Sequence, residues 1–143
     1  MDKDTLIFDR TEHDLRNGTD KAYINYWDLN RIEACIKDLS AQLNDYMYCQ
    51  STTVKTDWGK QTAISDMTNI PTLEHMERIR DNMQLLIAAF FVYPTTPQLP
   101  ETFENLTIYT ANDIEKILYD LHLMKESMTA NFRECNTFYC GEE

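Results

Sequence analysis

Three stretches of the chain carry apolar side chains at alternating steps of three and four, the spacing that lines one face of an α-helix. Leu29, Ile32, Ile36, Leu39, Leu43 and Tyr46 make the first stripe; Leu73, Met76, Ile79, Met83, Leu86 and Phe90 make the second. Ala111, Ile114, Leu118, Leu121, Met124 or Lys125, Met128 and Phe132 make the third. Helices are therefore predicted over about 28–48, 72–92 and 110–132, with Asp28, Thr72 (after Pro71) and Thr110 as N-caps. Stripes this wide do not stay in water. The expected fold is all-α, three amphipathic helices packed as a bundle.

The segments between the stripes follow a different pattern. Residues 51–70 are polar and β-tolerant, and are expected to lie extended along the body, pinned by Val54, Trp58, Ile64 and Met67. The run from Pro94 to Pro100 reads as a polyproline-like spacer, so both connectors are long and extended. Residues 1–22 read as an N-terminal arm and strap, with an apolar patch at Leu6-Ile7-Phe8, capping-box spacing between Thr11 and Asp14, and a turn at Asn17-Gly18. The aromatic, then acidic tail at 136–143 is expected to fold back on the bundle.

Residues 23–143 then form one helical domain, and its three helix starts invite superposition. Asp28-Leu29-Asn30-Arg31-Ile32-Glu33 aligns with Thr72-Leu73-Glu74-His75-Met76-Glu77 and with Thr110-Ala111-Asn112-Asp113-Ile114-Glu115. Three related units, 23–50, 51–93 and 94–135, are one reading of this pattern; general helix-start chemistry is the other, and both stay open.

Composition narrows the functional classes. Three Gly and four Pro are few for a sheet protein rich in tight turns. The formal charge is −11, from 24 acidic and 13 basic residues, with no clustered basic face, so nucleic acid is not an expected partner. The most apolar run, 85–93, is roughly half of what a membrane-spanning helix needs, and no signal peptide is apparent. Cys35, Cys49, Cys135 and Cys140 contain no CxxC pair, so no zinc site is expected. They read as reduced thiols, with a Cys135–Cys140 bridge in an expected loop, or a Cys49–Cys140 bridge, as the alternatives outside a cell.

No catalytic set emerges: there is no activated nucleophile, Cys/His pairing or glycine-rich phosphate loop. Enzymatic activity, a cofactor and a small-molecule ligand are not expected. Glu33, Glu77 and Glu115 occupy aligned positions, but the Glu-x-x-His pattern of a di-metal bundle is missing. They read as helix-start charges near the positive dipole end. Contact residues are the better candidates: Tyr23, Tyr26 and Trp27 as a staple over the bundle or a docking patch, Trp58 in the connector, and Leu86, Ile87, Phe90 and Phe91 at the apolar end of the second helix.

The stretch Tyr23-Ile24-Asn25-Tyr26-Trp27-Asp28-Leu29-Asn30-Arg31-Ile32-Glu33 resembles a recurrent segment of tail-region proteins in phages and prophages of Firmicutes-type bacteria. Asp9-Arg10-Thr11 with Asp14 resembles the lead-in often found before it, and Lys55-Thr56-Asp57-Trp58, Ile70-Pro71-Thr72 and Tyr109-Thr110-Ala111-Asn112-Asp113-Ile114-Glu115 resemble its continuation. The likeness covers most of residues 6–135. It implies a virion structural or assembly protein of the tail tip, baseplate or fibre, made in the bacterial cytoplasm. Its partners would be copies of itself, other tail proteins, or both. The alternative reading is a small acidic cytoplasmic regulatory or inhibitory protein that captures a basic partner.

Overall fold

A capping box satisfies orphan N–H groups at a helix start by letting two residues three apart bond each other's backbone. Each long helix of this chain begins with one. In the computed structural model, which describes residues 3–46, 51–59, 72–90 and 92–142 with side chains as far as residue 130, four helices are present. They are α1 (Glu12–Arg16), α2 (Tyr26–Asp45), α3 (Leu73–Ala89) and α4 (Ile108–Glu142). Short 3-10 turns occupy Lys3–Thr5 and Asp20–Ala22, and no strand occurs among the described residues. The chain is an all-α bundle, and no described helix is long and apolar enough to cross a membrane.

The expected caps hold at α3 and shift at the other two helices. Thr72 caps α3 in a box closed by His75. In α2 the cap is Asn25, and Asp28 is the box partner that accepts from the Asn25 N–H at 2.8 Å. Thr107 and Thr110 play the same two parts at α4. Tyr26 and Trp27 therefore belong to the first turn of α2 rather than to an extended lead-in. At its other end α4 runs on to Glu142, so the segment holding Cys135 and Cys140 is helical rather than a loop, and the tail does not turn back. Cys49 lies outside the described residues.

The three long helices run in the same direction. Near their starts Arg31 of α2 meets Glu115 of α4, and Arg78 of α3 meets Glu33 of α2. Farther along, Gln42 of α2 donates to Thr129 of α4 at 2.9 Å. Parallel neighbours require the chain to return between helices, and extended straps do this. Strap 1 (residues 6–10) lies against α4 and α2, strap 2 (51–59) against α2 and α3, and strap 3 (92–107) against α3 and α4.

The apolar stripes meet in one core. Leu29, Ile32, Ile36, Leu39 and Leu43 of α2 pack with Ile79, Met83 and Leu86 of α3 and with Ile114, Ile117, Leu118 and Leu121 of α4. The straps add Leu6, Trp58 and Phe103, so they are part of the core rather than a covering for it. The N-terminal arm is thus strap 1, as integral to the bundle as the two connectors.

Candidate functional site

Burying a carboxylate is costly unless cations and hydrogen-bond donors surround it. Two glutamates meet that condition. Glu115, fully buried on α4, accepts from the backbone N–H of Ile7 and from Arg10 Nη2 at 2.9 Å. Arg31 of α2 adds two bonds to it, at 2.6 and 3.2 Å. Asp28 stands beside both guanidiniums, 3.6 Å from Arg10 and hydrogen-bonded to Arg31, so two cations balance two carboxylates. Burial works against the Arg31 charge, and the bonds to Glu115 and Asp28 more than offset it, leaving its pKa raised. Asn112, one helical turn before Glu115, accepts from the Arg10 N–H at 3.0 Å and donates to the Arg10 carbonyl at 2.9 Å.

The second hub has the same plan. Glu33 of α2 accepts from the backbone N–H of Lys55, from the indole N–H of Trp58 and from Arg78 of α3. Asn30, one turn earlier, accepts from the Trp58 N–H at 2.9 Å and donates to its carbonyl at 3.0 Å. In both hubs an Asn-x-Ile-Glu turn grips an extended strap by two residues three apart. The third groove breaks the pattern: Glu77 and Arg80 stand where α2 and α4 carry Asn and Glu, and Asp113 of α4 stands where α2 and α3 carry Arg. There Arg80 donates instead to the Pro100 carbonyl at 2.8 Å. Glu33 and Glu115 are not the helix-start charges expected from the pattern; they are buried and sit past the first turn, where the dipole fades.

The helix starts also leave an apolar rim in solvent. Tyr23, Tyr26, Trp27, Leu73 and Tyr109 are between 42% and 58% exposed, and Leu15 stands with them. Tyr26 stacks edge-on to Trp27 at 4.9 Å and covers Gly59 of strap 2. Two open grooves cut into this end. One, of about 430 Å3, runs between α1 and the start of α4 and includes Leu15, Tyr23, Leu106 and Tyr109. The other, of about 500 Å3, includes Ile24, Tyr26, Met76, Phe103 and Leu106. Leu106 lines both, so they adjoin.

The candidate contact residues divide accordingly. Tyr23, Tyr26 and Trp27 are exposed at the rim. Trp58, at 1% exposure, does not face a partner: it is the strap anchor whose N–H Glu33 takes. Leu86 and Phe90 are also buried, as members of the common core, and Ile87 is half-buried beside Val92 and Leu99 of strap 3. Phe91 lies outside the described residues. Sequence reasoning missed Tyr109, Leu15 and Leu73 at the rim, and Arg10, Asn30 and Asn112 in the hubs. The signal for the hubs was present in the two identical Asn-x-Ile-Glu turns.

Among the described residues, no three His, Cys, Asp or Glu side chains group so that they could hold a metal ion. Cys35 is buried and its thiol pKa is pushed far up by that burial. No family model matches the chain, and no curated protein or solved structure matches it either.

Proposed function

We propose that this chain is a structural or assembly protein of a phage or prophage tail, acting by protein–protein contact and without catalysis. The observation that carries the reading is the resemblance of residues 23–33 to a tail-protein segment. The residues of that segment are the ones with structural work to do: Asn25 and Asp28 start α2, Asn30 and Glu33 hold strap 2, and Arg31 neutralises Glu115. The same segment supplies Tyr23, Tyr26 and Trp27 to the exposed rim, and Tyr and Trp are residues that interfaces favour. Partners are copies of the chain or neighbouring tail proteins, and the place of action is the virion tail.

The runner-up, an acidic regulator of a basic partner, is favoured by one feature. A shallow groove of about 410 Å3 beside strap 2 carries three carboxylates, Glu74, Glu77 and Asp81, against one cation, Arg78. The test is capture by tagged chain from a lysate of phage-producing cells. Tail proteins retained by the wild type and lost with a Tyr23→Ser, Trp27→Ser, Tyr109→Ser triple variant support the tail reading. Retention of basic host proteins alone, released by salt and indifferent to the triple variant, replaces it with the regulator.

A further inference from the structure

The two Asn–Glu hubs are copies of one recognition device. Each takes the N–H of a strap residue on the glutamate and brackets the N–H and C=O of the residue three further on with the asparagine amide. Each then accepts from that second residue's side chain: the Arg10 guanidinium donates to Glu115 at 2.9 Å and to Asn112 at 3.5 Å, and the Trp58 indole donates to Glu33. Most of the grip is on backbone, and the side chains gripped differ. Such a turn recognises an extended segment as a segment, as other main-chain-reading peptide sites do.

Strap 1 is joined to α2 through residues 11–24, a link held by local bonds and by one bond to α4, in which Tyr109 donates to Glu12 at 2.9 Å. Thr11 and Asp14 close the α1 cap, Thr19 donates to the Asp14 carbonyl at 3.1 Å, and Lys21 pairs with Asp9 at 3.0 Å. Ala22 is the buried residue of this link, and Leu15 and Gly18 are exposed. The link reverses at Gly18, whose φ is +62° and which has nothing within 4 Å of the place a Cβ would take. Opened out, these residues span about 46 Å at roughly 3.3 Å each, enough to reach a neighbouring molecule.

We infer that the Asn112–Glu115 turn of α4, with Arg31, binds extended segments supplied in trans, and that its partner is strap 1 of a second copy of this chain. An exchanged strap remakes the same bonds, so exchange between copies costs little beyond reopening the link. The resident strap competes at an effective concentration on the order of millimolar, which keeps the exchanged form minor until copies are crowded together.

The test uses the full chain carrying Phe8→Ala, which weakens the resident strap at its contact with Tyr119 while leaving the α4 turn intact. The probe is a fluorescent peptide of residues 3–24. Saturable binding is expected by anisotropy, weaker by at least tenfold when the peptide carries Arg10→Ala. The same loss is expected when the chain also carries Asn112→Ala, a change that keeps every buried charge paired and whose helicity is checked by circular dichroism. No binding at millimolar peptide, or equal binding of both peptides, overturns the site. For the second copy, Gly18→Pro forbids the reversal and should raise the dimer fraction several-fold in light scattering. A chain that stays monomeric at every concentration overturns the choice of partner.

Discussion

Replacing Glu115 by Gln removes one charge and almost no volume from the centre of the strap 1 hub. Arg10, whose side chain is fully buried, and Arg31, 13% exposed, are then left with Asp28 as their shared carboxylate. Breaking a buried pair by neutralising one partner costs about 3–5 kcal/mol, because the other charge stays buried. Domains of this kind are stable by about 5–15 kcal/mol, so a fifth or more of the total is at stake. In urea, with an m-value of about 2 kcal/mol/M, the midpoint should fall by about 1.5–2.5 M with no change in slope. Glu126→Gln is the control. It breaks the Lys3–Glu126 pair, which has the same kind of partners at 2.9 Å but a side-chain exposure of 23% and 55%, and is worth at most about 1 kcal/mol. Equal midpoints for the two variants would refute the view that Glu115 holds strap 1 on the bundle.

Gly59→Ala places a methyl 2.5 Å from the Tyr26 ring at a backbone with φ of +81°, so strain and displacement add. A loss of about 1–3 kcal/mol in thermal melts is expected, with a changed near-ultraviolet signal from Tyr26 and Trp27. His122 has its pKa lowered by burial first and then by Lys125, against the opposing pull of Asp38 and Glu126. The unfolded chain therefore takes up that proton at higher pH than the folded one. The stability it lends is fully present above about pH 6.5 and lost as the pH falls, and His122→Leu should flatten that part of the melting profile. Cys35 should resist maleimide labelling in the native chain and react only on unfolding, as peptide mapping would show.

The helices were legible because burial on one face imposes a period that survives without tertiary information. Their starts were less so. A capping box holds two cap-like residues three apart, and at Asn25–Asp28 and Thr107–Thr110 the eye takes the second. That shift also misaligned the three helix starts: Asp28 and Thr110 occupy the third helical position, whereas Thr72 is a true cap. Once caps are matched to caps, Arg31 aligns with Arg78, and the inter-helix contacts to Glu115 and Glu33 correspond. The straps could be read as extended but not placed, since what places them is a bond from a helix side chain to a backbone group many residues away. Leu86 and Phe90 looked like contact residues, yet both lie in the common core, and Val92 and Leu99 of strap 3 stand beside Ile87.

The straps belong to neither a helix nor a sheet, so their amides have no regular ladder to protect them. Hydrogen exchange at single amides tests directly whether the two glutamates and two asparagines hold them instead. The N–H groups of Ile7, Arg10, Lys55 and Trp58 are the ones taken by Glu115, Asn112, Glu33 and Asn30. These four should exchange orders of magnitude more slowly than an amide of an exposed turn such as Gly18, and Asn30→Ala should release Trp58 while leaving Arg10 protected. Uniformly fast exchange along residues 6–10 and 51–59 would contradict the clamped-strap architecture.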